Sequence, residues 1–200
     1  MKVFASSSVN SIERMHDVEL AWLIPQCIAG NEDAIARLVR QYETGVFRLA
    51  LSIVGDVAEA NEITQDVFLA ALRSLPSYQE KKSFKAWLYT ITLNQSRSRL
   101  RKRKTLERLK MTLTSIFRVE VQKLPAPEEM VIQNEKEALL WNCLNRLDER
   151  LRVVVILRYF HELSTTEIAE VLSIREGTVH SRLHNARERL RNALEGMDGR

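Results

Sequence analysis

From Asp17 to Leu194 the apolar residues recur at three- and four-residue steps, the spacing that lays one stripe along an α-helix. A chain patterned this way leaves little room for strands. Its six glycines and four prolines are too few for the many short turns of a sandwich or barrel. Leu20, Leu23 and Ile24 open a first amphipathic segment, which Pro25 is expected to kink or end. A second helix is predicted over Asn31–Val54, closing at Gly55, and a third over Ala58–Leu75, stopped by Pro76. After a polar loop, Ser77–Lys82, Ser83 is placed to cap a fourth helix carrying Trp87, Leu88, Ile91 and Leu100. The pattern fades between Thr112 and Pro127, where Pro125-Ala126-Pro127 reads as a linker boundary. Periodicity returns over Glu128–Leu147. A buried helix is expected at Arg152–Phe160, then two short ones near Thr165–Leu172 and Thr178–Leu194. The predicted fold is all-α: two small helical domains, residues 17–111 and 128–196, joined by a flexible linker, 112–127, behind a disordered leader, 1–16.

The net charge of +4 conceals how unevenly the charge is placed. Arg97, Arg99, Arg101, Lys102, Arg103, Lys104, Arg108 and Lys110 face one acid, Glu107, so this stretch is +7 and the remainder of the chain −3. Asp56, Glu59, Glu62 and Asp66 form an opposite run with no base among them. A concentrated basic stripe attracts a polyanion such as nucleic acid, and an acidic run cannot share that phosphate backbone. Either run alone also reads as an ordinary solvated face. Apolar stretches such as Val153–Leu157 are too short to span a bilayer, and polar Ser6–Ser8 and Asn10 interrupt any signal-peptide core. Cys27 and Cys143 make neither a disulfide framework nor a zinc ligand set, which suits a reducing cytoplasm.

The most specific segment runs from Ser164 to Leu183. Ile168, Leu172, Ile174, Val179 and Leu183 fall where two crossing helices meet, with small Ala169 at the crossing and Gly177 loosening the start of the second helix. Such a pair sets its second helix into the DNA major groove. The side chains available there are Arg175, Thr178, His180, Ser181, Arg182, His184 and Asn185, with Arg187, Arg189 and Arg191 continuing the positive face. His180 and His184 are spaced to share a metal, yet no third ligand is near, so neither a metal nor another cofactor is expected. In the N-terminal half, Tyr78 and Asn94 lie beside the basic stripe, and aromatic and amide groups on such a track suit unstacked bases. Phe84 and Trp87 read more simply as core.

Three motifs occur in order: Asn61-Glu-Ile-Thr-Gln-Asp-Val-Phe68, Ser83-Phe-Lys-Ala-Trp-Leu-Tyr-Thr-Ile-Thr-Leu-Asn94, and Gly177-Thr-Val-His-Ser-Arg-Leu183. In these the chain resembles the extracytoplasmic-function (ECF) group of bacterial RNA polymerase sigma factors, over about Asp17–Leu194. The resemblance implies an N-terminal region 2 and a C-terminal region 4, with core RNA polymerase and promoter DNA as partners. It implies that Glu62, Gln65 and Asp66 contact the polymerase; at i, i+3 and i+4 they share one helix face. It further implies that Tyr78–Ser83 with Asn94 receive a flipped base of the minus-ten element, while Arg97, Arg99, Arg101 and Lys102 hold the neighbouring phosphates. Region 4 would read the minus-35 duplex through Arg175, Thr178, His180, Ser181, Arg182, His184 and Arg187. The family commonly works against an anti-sigma factor, and the sigma factor itself makes no bonds. The chain departs from many relatives at His180 and Asn185, where Arg is frequent. It also has Asp148-Glu149 where a Pro-rich start is common, with Asp148 suited to cap the next helix. A helix-turn-helix regulator acting without polymerase is the alternative. An enzyme acting on nucleic acid lacks a convergent carboxylate cluster.

Overall fold

The computed structural model describes residues 19–79, 83–117, 143–144 and 146–198, with side chains of the fourth and last helices described to residues 109 and 193. The expected leader 1–16, the Pro125–Pro127 boundary and the periodic stretch 128–142 lie outside the described residues. Among the described residues every regular element is helical. Helix α1 covers residues 19–28 and continues past Pro25, which does not end it. Leu20, Leu23, Ile24 and Cys27 are buried on both sides of the proline, which is itself exposed. Each such burial contributes about 1.5–3 kcal/mol, and together they outweigh the roughly 3 kcal/mol cost of an interior proline. Beyond it the helix resumes its bonding, with Ala29 N donating to Pro25 O at 3.0 Å.

Helix α2, Glu32–Val54, starts at Asn31, whose side chain accepts from Ala34 N at 3.0 Å, and stops at Gly55 with φ of 72°. That left-handed turn is cheap only for glycine. Helix α3, Val57–Ser74, is capped by Asp56 and passes into a 3₁₀ turn at Leu75–Ser77 containing Pro76. Helix α4 spans Phe84–Phe117, continuing past Thr112 where the apolar pattern fades. Ser83 Oγ accepts from Ala86 N at 3.4 Å, a long cap bond. Helices α2, α3 and α4 pack mutually around Val46, Leu49, Ile63, Val67, Leu88 and Leu93.

Gly45 on α2 has a definite steric role. A Cβ there would clash with Tyr89 Oη of α4 and would stand 3.5 Å from Tyr89 Cζ. Two opposing effects follow for Gly45→Ala. Helix propensity favours alanine by about 1 kcal/mol, whereas overpacking costs roughly 1–3 kcal/mol. Gly45→Ala should therefore lower the thermal midpoint in the native background and raise it in a Tyr89→Phe background, where the clashing oxygen is gone. Melting curves of the four proteins test this; the same sign in both backgrounds would refute the contact.

The described part of the C-terminal half begins with residues 143–144 and resumes at 146. Asp148 caps α5, Glu149–Val155, by accepting from Leu151 N at 3.0 Å. The helix then widens into a π turn, Ile156–Phe160. The segment is not buried throughout as expected: residues 153–157 are buried, but Arg158, Tyr159 and Phe160 face outward because the wider turn changes the phase of the stripe. Helix α6, Thr165–Leu172, opens with a capping box between Ser164 and Glu167. Helix α7, Glu176–Asp198, follows and is longer than expected at both ends. The turn between them is made by Ser173 at φ 52°. Gly177, by contrast, has an ordinary φ and open space where a Cβ would go, so the loosening expected of it is not needed. Helix α4 packs against α6 as well as its own partners, and buried residues of both halves form one continuous core.

Candidate nucleic-acid interface

In the helix pair α6–α7, Ile168, Val179, Leu183 and Ala186 are buried, and Ala169, Leu172 and Ile174 pack against them. Helical phase then fixes what α7 presents outward. Ser181, His184 and Asn185 point away from the buried stripe. His180 and Arg187 flank them on one side, and half-buried Thr178 and Arg182 on the other, with exposed Arg175 just before the helix. All seven predicted minus-35 residues thus lie on or beside one outward face. Several are tied locally: Ser181 Oγ donates to Thr178 O at 3.0 Å, and His180 Nε2 lies 3.8 Å from Glu176 Oε1. Arg189 pairs with Asp148 at 3.2 Å and Arg191 with Glu188, which removes two charges from the positive face expected there.

On α3, Glu62, Gln65 and Asp66 are exposed together, as their spacing requires. The same face carries Leu69, 53% exposed, which sequence reasoning passed over. An apolar side chain left in water one turn beyond two acids is the signal that could have found it. The acidic run is not isolated from the basic stripe. Arg99 Nη2 is 2.8 Å from Glu62 Oε2 and 3.9 Å from Asp66 Oδ2. Arg103 Nη1 lies 3.3 Å from Glu59 Oε2 and 3.4 Å from Val54 O, so it also serves a carbonyl at the C-terminal end of α2.

The stripe on α4 therefore divides by helical phase. Arg99 and Arg103, four apart, turn toward α3. Arg101 and Lys102 are exposed, and with Ser98, Thr105 and Leu106 they line a shallow hollow of about 390 Å³. Asn94 is exposed and shares the Arg97 and Arg101 face. Arg97 Nε is held at 2.9 Å by Glu149 Oε1 of α5. Tyr78 is half-buried in an aromatic cluster, its ring centroid 5.3 Å from Phe84 and 5.2 Å from Trp87. Ser83 is half-buried at the start of α4. Residues 80–82 of the expected base pocket lie outside the described residues. Tyr78 and Asn94 are thus on one flank of α4 but separated along it, with Trp87 between.

Residues 38–105 match Sigma-70 region 2 and residues 137–190 match Sigma-70, region 4. The match over the N-terminal half sets aside a regulator that merely carries a helix-turn-helix. The ECF RNA polymerase sigma factor SigW of Bacillus subtilis is 32% identical over 179 residues, covering 87% of this chain and 96% of that one. The ECF RNA polymerase sigma-E factor of Escherichia coli is 27% identical over 186 residues, covering 88% and 94%. Among solved structures, CnrH in complex with the cytosolic domain of CnrY superposes with a TM-score of 0.64 at 26% identity, covering 87% and 96%. RpoE in complex with the anti-sigma factor NepR, from Bartonella quintana, gives 0.61 at 25%, covering 80% and 96%. With both family regions in order and near-full-length relatives of the same kind, this chain belongs to the ECF RNA polymerase sigma factors.

Proposed function

We propose that the chain brings core RNA polymerase to a set of promoters through three surfaces. The exposed α3 face, Glu62, Gln65, Asp66 and adjoining Leu69, docks on the polymerase. The α4 flank, from Tyr78 and Ser83 through Asn94 to Arg97, Arg99, Arg101 and Lys102, takes the opened minus-ten strand. The outward face of α7, with Arg175, Thr178, His180, Ser181, Arg182, His184 and Arg187, reads the minus-35 duplex. One observation carries this reading: region 2 and region 4 stand in order in one chain, with Glu62, Gln65 and Asp66 exposed together on α3. The chain supplies positioning and strand capture, while the polymerase makes the bonds, in the cytoplasm. No described helix is long and apolar enough to cross a membrane. An anti-sigma factor fits as a regulatory partner, since CnrH and RpoE were both solved with partners of that kind or with a cytosolic domain.

The test is run-off transcription with core enzyme on a randomised promoter library. A discrete promoter family should be enriched; none would end the proposal. The Arg101→Ala/Lys102→Ala variant should lose activity roughly evenly across the enriched promoters, because phosphate contacts carry no base identity. Loss confined to particular sequences would contradict a phosphate role for this pair.

A further inference from the structure

Helix α7, whose outward face is assigned above to the minus-35 duplex, begins with an acid. Glu176 is its first residue, exposed between Arg175 and Gly177. It stands on the flank that His180 shares, at the end by which a recognition helix touches base edges. Its carboxylate is tethered from the other helix of the pair. Thr165 Oγ1, in the first turn of α6, donates to Glu176 Oε1, and His180 Nε2 stands 3.8 Å from the same oxygen. Oε2 has no partner among the described residues. One oxygen is thus fixed across the α6–α7 turn and the other is left to accept.

A carboxylate in this place acts on DNA in a particular way. Duplex carries one phosphate charge per about 1.7 Å of axis, so an acid brought into the groove is repelled by every sequence unless a donor meets it. The donors of the major groove are the exocyclic amines, cytosine N4 and adenine N6. Guanine and thymine present lone pairs at O6 and O4 instead. Adenine sets its N7 acceptor beside its amine, which repels a carboxylate and suits an amide. Cytosine offers the donor alone. The backbone dipole at a helix start also favours an acid, but that effect asks for no hydrogen bond from a second helix.

We propose that Glu176 is a specificity-determining residue of the minus-35 surface, accepting through its second oxygen from the N4 amine of a cytosine, with Thr165 as the positioning residue that holds the carboxylate in place. The assignment rests on the minus-35 role of α7 given above. It adds a base identity, and a residue that acts by rejecting the other bases as much as by holding the right one.

Promoter selection with holoenzyme, assembled from core polymerase and the full chain, tests the assignment on a library randomised only across the minus-35 element. The wild type should enrich cytosine at one position of one strand by roughly tenfold. Glu176→Gln should move that position toward adenine, because an amide pairs with N6 and N7 together. Glu176→Ala should level it and leave the remaining positions as they were. Thr165→Val should weaken the preference several-fold, and Thr165→Ser, which keeps the hydroxyl, should restore it. A helix-start acid with a purely structural role would move none of these base profiles. Melting curves of each variant alongside the wild type report that the fold is kept. A cytosine preference that survives in both Glu176 variants, or selection at other minus-35 positions with no cytosine preference in the wild type, overturns the proposal. An unchanged preference in Thr165→Val overturns the positioning role alone. If the wild type enriches nothing across the minus-35 element, the minus-35 reading of α7 fails and this assignment with it.

Discussion

If the acidic face of α3 docks on a basic polymerase surface as proposed, Asp66→Lys should lower affinity for core polymerase by roughly a hundredfold or more, because a like charge placed there costs several kcal/mol. The site allows a sharp control. Asp66 lies 3.9 Å from Arg99, so its reversal also disturbs that pair. Arg99→Ala breaks the same pair without altering the acidic face, and it should leave polymerase affinity within about threefold while reducing promoter-strand binding. Fluorescence-detected titration with core enzyme measures both. Equal loss in the two variants would mean that the Arg99 pairing, and not the acidic face, carries the effect. Wild-type affinity in Asp66→Lys would remove α3 from the polymerase interface.

The second large effect is acid destabilisation through His161. Burial, with Lys85 and Arg48 nearby as positive neighbours, lowers its pKa to about 4 from an ordinary 6.5. Tyr89, raised to about 12 by its own burial, stays neutral beside it, and Glu162 follows it in the chain. The sign is set by which state takes the proton. A histidine depressed in the folded state is neutral in both states above about pH 6.5, where its contribution is intact. As pH falls from 6.5 toward 4 only the unfolded chain gains the proton, and stability drops. Between pH 7 and 5 the loss is about 2 kcal/mol, since each pKa unit is worth about 1.4 kcal/mol. Urea midpoints at pH 7, 6 and 5 measure it, with His161→Gln removing the titration. A slope identical in wild type and His161→Gln would show that His161 is not the source.

Much of the fold was legible because local chemistry and tertiary packing agree. Asn31, Asp56, Asp148 and Ser164 each accept the amide bond their position at a helix start calls for. Gly55 ends α2 as a residue free to take positive φ. Pro25 was misleading because local rules price the lost amide and not the burial on either side. Gly177 was misleading in the opposite sense: a glycine in a turn motif suggested a backbone need, and the left-handed position is filled by Ser173. Face assignments on α3 and α7 followed from periodicity alone, since spacing fixes which side chains share a face. What spacing cannot supply is which other helix a face meets. Arg99 with Glu62, Arg103 with Glu59 and Arg97 with Glu149 lie 37, 44 and 52 residues apart in the chain. The basic and acidic runs read as separate surfaces for separate partners, and in the folded chain part of each neutralises the other. His161 belongs to no motif of the sequence, and only the fold sets it against Tyr89 and Lys85.

Helix α4 carries the aromatic cluster at its start and the basic stripe farther along, on one uninterrupted helical rod. Every residue inserted or removed between Trp87 and Arg101 would rotate one group about 100° relative to the other. No loop or bulge lies between them to absorb the change. Descendants of this sequence can therefore exchange side chains in that stretch, but its length is not free to drift.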